Sequence, residues 1–317
     1  MRKVLAFDLG GTKFAFGVVN EDGTVLGSGR VETFAEKGPQ QACERVAEAA
    51  HQLLAELKLK PVDFVAIGVA SPGPLDIARG CVDGSPNLPG WTGFSITDFL
   101  SNSFGGLPAR IDNDCNAAAL GEYALRRKHL GSLMLVAPGT GLGGGLVLPG
   151  GRSYEGMNGL ALEVGHVSVP FREDDGSLPA CSCGLTGCAE AWVSLMALRR
   201  RLRLELAKPE WAGHPLNEGD APIEEKAFKL REFAEKGDAL AVGIFKQQGF
   251  ILGYMIADMV RVFDPGLVVI GGGLAETSFR DQYMEWIQEG FADRAWPVYR
   301  FSPLDANKVT TEFEWAS

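Results

Sequence analysis

Apolar positions along this chain follow two rhythms. Short apolar runs at 4–7, 14–19, 25–31, 64–69, 108–111, 133–137, 146–148, 267–270 and 298–301 predict strands. Longer stretches carry helical spacing. In 40–57 the apolar positions are Val46, Ala49, Ala50, Leu53, Leu54 and Leu57. Further helices are predicted at 96–104, from 115, at 193–206, 224–235 and 279–291. Asp238 reads as the N-cap of a long apolar helix reaching 263, whose Gly249 and Gly253 would let it lie close against a sheet. The final residues, to 317, show no pattern of their own. Strands interleaved with helices predict an α/β chain.

The breaks between runs carry the candidate chemistry. Asp8-Leu9-Gly10-Gly11-Thr12-Lys13 separates two strands, so a hairpin tip of Gly10, Gly11, Thr12 and Lys13 would offer backbone N–H groups to a phosphate. It is not a Walker A loop, because the spacing and the following helix are absent. Asp8 could hold Mg²⁺ through water; the alternative is an ordinary hairpin with a capping Asp. Gly139-Thr140-Gly141-Leu142-Gly143-Gly144-Gly145 repeats the arrangement about 130 residues later, which reads as an internal duplication. Two such loops could clamp a triphosphate from both sides. A third turn, with Gly272 and Gly273, follows the strand at 267–270 and suits an adenosine moiety. Asn113 and Asp114 stand just past a strand end, where open α/β sheets bind ligands. Asp114 is there either a helix cap or a general base. The loop Ser85-Pro86-Asn87-Leu88-Pro89-Gly90-Trp91 offers an amide and an apolar wall to a hydroxyl-rich ligand, or is a plain turn with a packed Trp.

Composition narrows the class. With 317 residues, 46% hydrophobic and 22% charged, the chain has material for two domains. The division expected is an N-terminal α/β domain at 1–112 and a C-terminal α/β domain at 113–317. A net charge of −10 argues against a nucleic-acid or anionic-membrane partner. The basic helix face of Arg199, Arg200, Arg201 and Arg203 is therefore read as solvated or subunit-facing. Asp8 interrupts the first apolar run too early for a signal peptide, and no stretch of about 18 residues lacks charge and polar breaks. The six scattered cysteines do not form a secreted disulfide framework, so a reducing, cytoplasmic location is expected.

Three of those cysteines fall together, in Cys181-Ser182-Cys183-Gly184-Leu185-Thr186-Gly187-Cys188-Ala189-Glu190, with His166 ahead of them in Glu163-Val164-Gly165-His166. Clustered Cys and His in a Cys-poor chain read as a metal site, and Cys₃His is a common structural Zn²⁺ set. The expected ligands are His166, Cys181, Cys183 and Cys188; the alternative is three free thiols in a loop. Four protein ligands leave no open position, so the ion would brace a pocket and not catalyse. Glu163 and Glu190, each within three residues of a ligand, would be fixed by the same brace and could accept hydrogen bonds from sugar hydroxyls.

These stretches, in this order and with Asn113-Asp114-Cys115-Asn116-Ala117-Ala118-Ala119-Leu120-Gly121-Glu122 between the first two glycine loops, resemble the ROK family of sugar kinases, repressors and related proteins. The resemblance spans roughly residues 3–300, and Asn87-Leu88-Pro89-Gly90-Trp91 is most similar to the bacterial glucokinases. It implies an actin/hexokinase-like (RNase H-like) fold of duplicated α/β domains around a cleft. It implies ATP- and Mg²⁺-dependent phosphorylation of a hexose, glucose at its 6-hydroxyl first, N-acetylmannosamine or another hexose second. By position, Asp114 matches the general base, and Asn87, Asn113, Asp114, Glu163, His166 and Glu190 match sugar contacts. Asp8, Gly10, Gly11, Thr12, Lys13, Gly139, Thr140, Gly141 and Gly143 match phosphate and magnesium elements; Gly272 and Gly273 match the nucleotide side. Similar proteins form dimers or tetramers. A sugar-responsive repressor of the same family is disfavoured, because the Asp8 motif leaves no room for a preceding helix-turn-helix. Family members close with a Gly- and Ala-rich helix that returns to the first domain. That pattern is missing before Ser317, so either a shortened chain or a replaced helix is expected.

Overall fold

The computed structural model of the chain describes residues 1–85, 88–126, 131–273, 275, 277–300 and 311–317. By contacts it forms two units, Met1–His129 with Gly145–Ala161, and Leu130–Gly144 with Leu162–Ser317. From the sequence the division was expected after 112. The contacts instead keep the segment that follows Asn113 with the first unit, because its helix packs on strands of the first sheet.

In the first unit the strands are β1 (Lys3–Leu9), β2 (Lys13–Asn20), β3 (Val25–Glu32), β4 (Ala66–Ser71), the short pair β5 (Leu75–Asp76) and β6 (Cys81–Val82), and β7 (Ala109–Asn113). The helices are α1 (Pro39–Glu56), α2 (Ile96–Ser103) and α3 (Asp114–Leu125). Its main sheet runs β3-β2-β1-β4-β7, antiparallel through the first three strands and parallel from β1 to β7. Side chains alternate across a strand. Leu5, Phe7 and Leu9 of β1, Phe14, Phe16 and Val18 of β2, and Ile67 and Val69 of β4 enter a core shared with Val46, Ala50, Leu54, Leu100 and Phe104 of α1, α2 and the residue after it. The same alternation turns Asp8 and Asp112 to the opposite face. There they share a row with Ala70 between them, Asp8 opposite Ala70 and Ala70 opposite Asp112.

The second series comprises β8 (Leu133–Pro138), β9 (Leu142–Leu148), β10 (Arg152–Ser153), α4 (Glu190–Val193), α5 (Leu195–Leu206), α6 (Ile223–Glu235), α7 (Ala239–Phe263), β11 (Leu267–Ile270), α8 (Arg280–Arg294), α9 (Pro297–Arg300) and β12 (Glu312–Trp315). Its sheet order is β10-β9-β8-β11-β12. Each sheet therefore reads third, second, first, fourth, fifth in its own series. That is the duplication hinted at by the two glycine loops. β8, β11 and β12 are parallel. α7 is long and apolar enough to cross a membrane by length and composition alone, but most of that stretch is buried inside the unit. Its glycines meet α8, not a sheet as the sequence suggested. A Cβ at Gly253 would lie 1.8 Å from the Ile287 carbonyl oxygen, so the helix backbones pass too close for any side chain.

Other expectations shift. The helix expected over 193–206 begins at Leu195, because the Ser194 hydroxyl caps it by accepting from Ala197 N–H at 3.1 Å, and α4 precedes it as a separate turn. Its arginines are partly neutralised: Arg200 and Arg201 pair with Glu173, and Arg201 with Glu205. The strand expected at 298–301 is the short helix α9 where described, with Pro297 at its first position, where a missing N–H costs nothing. The unpatterned tail supplies the edge strand β12.

Candidate active site

In the first unit, the chemistry gathers where β7 runs into α3. Asn113, not Asp114, is the cap: its Oδ1 accepts from Cys115 N–H at 2.9 Å and Asn116 N–H at 3.4 Å. Asp114 is the first helical residue, half-buried, with Oδ1 accepting from Cys115 N–H at 2.8 Å. Burial pushes its carboxyl above the usual range, against the lowering effect of that hydrogen bond. Asp8 keeps solvent contact at a concavity lined by Ala6, Phe7, Ala15 and Ala70. The surrounding protein, then the negative charge of Asp114, raise its carboxyl too. Asp112, not singled out from sequence, fixes the turn: its Oδ1 accepts from Asn113 N–H at 2.7 Å and the Asn116 amide at 3.1 Å. The Gly10–Lys13 turn is closed by Gly10 N–H donating to the Lys13 carbonyl at 2.8 Å, and the Lys13 ammonium is held by Glu32 across the strands. Asn87 lies outside the described residues.

β9 shows why its glycines are glycines. Only Gly139, Thr140 and Gly141 form the turn, with Gly139 N–H donating to the Gly141 carbonyl at 2.8 Å; Gly143 is already in the strand. A Cβ at Gly145 would lie 2.5 Å from the Cys115 carbonyl oxygen and 2.9 Å from Ala119 Cβ. This strand thus passes directly against the helix that begins with Asp114.

In the second unit, the 139–141 turn and the turn at 271–273 stand at the ends of neighbouring parallel strands. Gly271 N–H donates to the Val136 carbonyl at 2.9 Å, and a Cβ at Gly272 would lie 2.0 Å from the Pro138 carbonyl oxygen. Glu190 joins the first of these turns to the cysteine loop. Its Oε2 accepts from Leu142 N–H at 3.0 Å and its Oε1 from the Ser182 hydroxyl at 2.6 Å. Glu163 precedes the short turn Val164–His166, whose His166 N–H donates to the Glu163 carbonyl at 3.1 Å. Ser182 and the Leu142 amide were not legible as site elements, since neither residue type advertises the role.

The ligand atoms of His166, Cys181, Cys183 and Cys188 all lie within 4.8 Å of one another. Tetrahedral Zn²⁺, with Zn–S about 2.3 Å and Zn–N about 2.0–2.1 Å, requires S···S edges of about 3.8 Å and S···N edges of about 3.5 Å. Cys183 Sγ lies 3.7 Å from Cys188 Sγ, and Cys181 Sγ lies 3.6 Å from His166 Nδ1. The donor set fits that ion, and these two edges match its spacing.

The model of the ROK family matches residues 4–302. The chain belongs to the ROK family. It is 34% identical over 297 residues to a glucokinase of Thermotoga maritima, covering 91% of this chain and 89% of that one. It is 31% identical over 274 residues to an N-acetylmannosamine kinase of Yersinia pestis, covering 86% and 84%. Among solved structures it resembles a ROK family glucokinase from Streptomyces griseus in complex with glucose and AMPPNP. That match has a TM-score of 0.76 and 29% identity, over 99% of this chain and 94% of that one. With the duplicated sheets, this identifies the actin/hexokinase-like fold.

Proposed function

We propose that this sugar kinase transfers the γ-phosphoryl group of ATP to the 6-hydroxyl of glucose, with Asp114 as general base. The observation that carries the reading is the half-buried Asp114 carboxyl, placed as the first residue of α3 behind the Asn113 cap and raised by burial, in a chain whose relatives include glucokinases. Phosphoryl transfer asks a protein for alignment and charge neutralisation more than for covalent chemistry. Asp114 takes the hydroxyl proton, and its raised pKa makes it the better acceptor. Asp8 and the 10–13 and 139–141 turns serve the Mg²⁺-bound phosphates. Asn87, Asn113, Glu163, His166 and Glu190 serve the sugar. Zn²⁺, held by His166, Cys181, Cys183 and Cys188, supplies rigidity to the loop. Nδ1 of His166 faces the sulfur side, which leaves Nε2 for a sugar hydroxyl.

The kinship with an N-acetylmannosamine kinase favours that sugar as the second reading. A coupled assay over a hexose panel, with ATP and polyphosphate as donors, decides. Turnover highest with glucose and ATP supports the first reading; preference for N-acetylmannosamine replaces it with the second. The protein is expected to assemble as a dimer or tetramer, measured by light scattering.

A further inference from the structure

Thr33 follows directly on β3 and is fully buried. Both of its hydrogen-bond donors go to the hairpin turn Gly10–Lys13. Its backbone N–H donates to the Thr12 carbonyl at 2.7 Å, and its hydroxyl donates to the Gly10 carbonyl at 2.7 Å. One residue therefore holds two peptide planes of that turn. A trans peptide is planar, and its C=O and N–H point opposite ways. The N–H groups of Gly11 and Lys13 are thus turned away from Thr33. Among the described residues the Gly11 amide donates to no backbone carbonyl. Amides turned outward at a hairpin tip suit an anionic oxygen.

Thr33 is itself held. The Arg45 guanidinium on α1 donates through Nη2 to the Thr33 carbonyl at 2.6 Å and through Nε to the Glu32 carbonyl at 3.3 Å. The next residue, Phe34, takes a left-handed backbone with φ 47°. Arg45 and Lys37 lie over its ring, 5.1 Å and 4.4 Å from the ring centre.

We infer that Thr33 is a positioning residue for phosphoryl transfer: out of reach of any ligand, it sets the direction of the Gly11 and Lys13 amides. Arg45 keeps Thr33 in place. This rests on the kinase reading above, in which the 10–13 turn serves the phosphates. The hydroxyl is the part required. Valine has the same shape but leaves the Gly10 carbonyl without its donor, so that peptide is free to rotate.

The test compares the wild-type protein with Thr33→Val, Thr33→Ser and Arg45→Met. It measures KM for ATP and for the best hexose substrate, and calorimetric titration of AMP-PNP with Mg²⁺. The result expected in Thr33→Val is an ATP KM and an AMP-PNP Kd raised about tenfold, with the hexose KM unchanged. Thr33→Ser, which keeps the hydroxyl, should restore both values. Arg45→Met, on a partly exposed helix position, should move the same two quantities the same way by less. Equal loss for ATP and hexose, or no rescue by serine, makes Thr33 an ordinary core residue and overturns the inference. An unchanged ATP KM in Thr33→Val overturns it as well. If Thr33→Val does not fold, Arg45→Met decides, and unchanged AMP-PNP binding there overturns the inference alone. Wild-type protein that binds no AMP-PNP overturns the kinase reading, and this inference with it.

Discussion

The backbone N–H of Leu142 donates to the carboxylate of Glu190 at 3.0 Å. Because the other oxygen of Glu190 takes the Ser182 hydroxyl, one side chain ties the glycine turn of a hairpin to the cysteine loop. Hydrogen bonds to a charged group contribute about 1.5–3 kcal/mol. Glu190→Ala should lower stability by about that amount in urea denaturation and raise KM for both hexose and ATP. Glu190→Gln, which keeps an acceptor for one donor, should fall between. A variant with weakened hexose binding alone would mean that the tie to the turn is idle.

Asp114→Asn should cut kcat by about 10²- to 10⁴-fold while hexose still binds. Steady-state kinetics paired with calorimetric glucose titration separates the two effects, and near-normal kcat removes Asp114 from the role of base.

The same substitution should stabilise the fold. A carboxyl whose pKa is higher in the folded than in the unfolded chain binds its proton more tightly when folded. Stability is therefore lost as pH rises from the ordinary value of 3.8 through the raised one, and stays lower above it. Asp114→Asn should match the wild type in acid and exceed it at neutral pH. It should also bring the Asp8 carboxyl down, because the Asp114 charge is part of what raises it. Denaturation curves across pH 3–8 give the answer, and a variant less stable at pH 7 contradicts it.

Gly145→Ala should perturb the base without touching it. The added methyl would press on the Cys115 carbonyl and on Ala119 at the start of α3. Overpacking of this kind costs about 1–3 kcal/mol. The expected outcome is a lower unfolding midpoint together with a kcat loss larger than any change in hexose KM.

Purified protein should carry about one Zn²⁺ per chain. Chelation should expose three thiols, those of Cys181, Cys183 and Cys188, to a thiol reagent and lower the unfolding midpoint. Metal analysis finding no zinc, with those thiols reactive from the start, would leave the cluster as free cysteines.

Much of this was readable along the chain because the decisive elements are local. The core strands are apolar runs, Asp238 caps α7 as its position predicts, and the three cysteines sit close enough in sequence to be forced together in space. What escaped reading depended on neighbours remote in sequence. Gly144 and Gly145 look like more of a phosphate loop, yet they are strand residues, and Gly145 is bare because α3 crosses there. Glu-Phe-Glu-Trp at 312–315 is too short an alternation to declare a strand and becomes one only beside β11.

The sequence by itself determined the family, the α/β alternation, the repeated strand–turn–strand units and the candidate metal-ligating set, since each motif is written in short-range spacing along the chain. Tertiary structure alone decided that Asn113 caps and Asp114 does not, that Asp8 and Asp112 share a sheet face, and that Glu190 reaches Leu142. Those relations depend on strand register and helix docking, and these are fixed only when the apolar faces of distant segments are buried together.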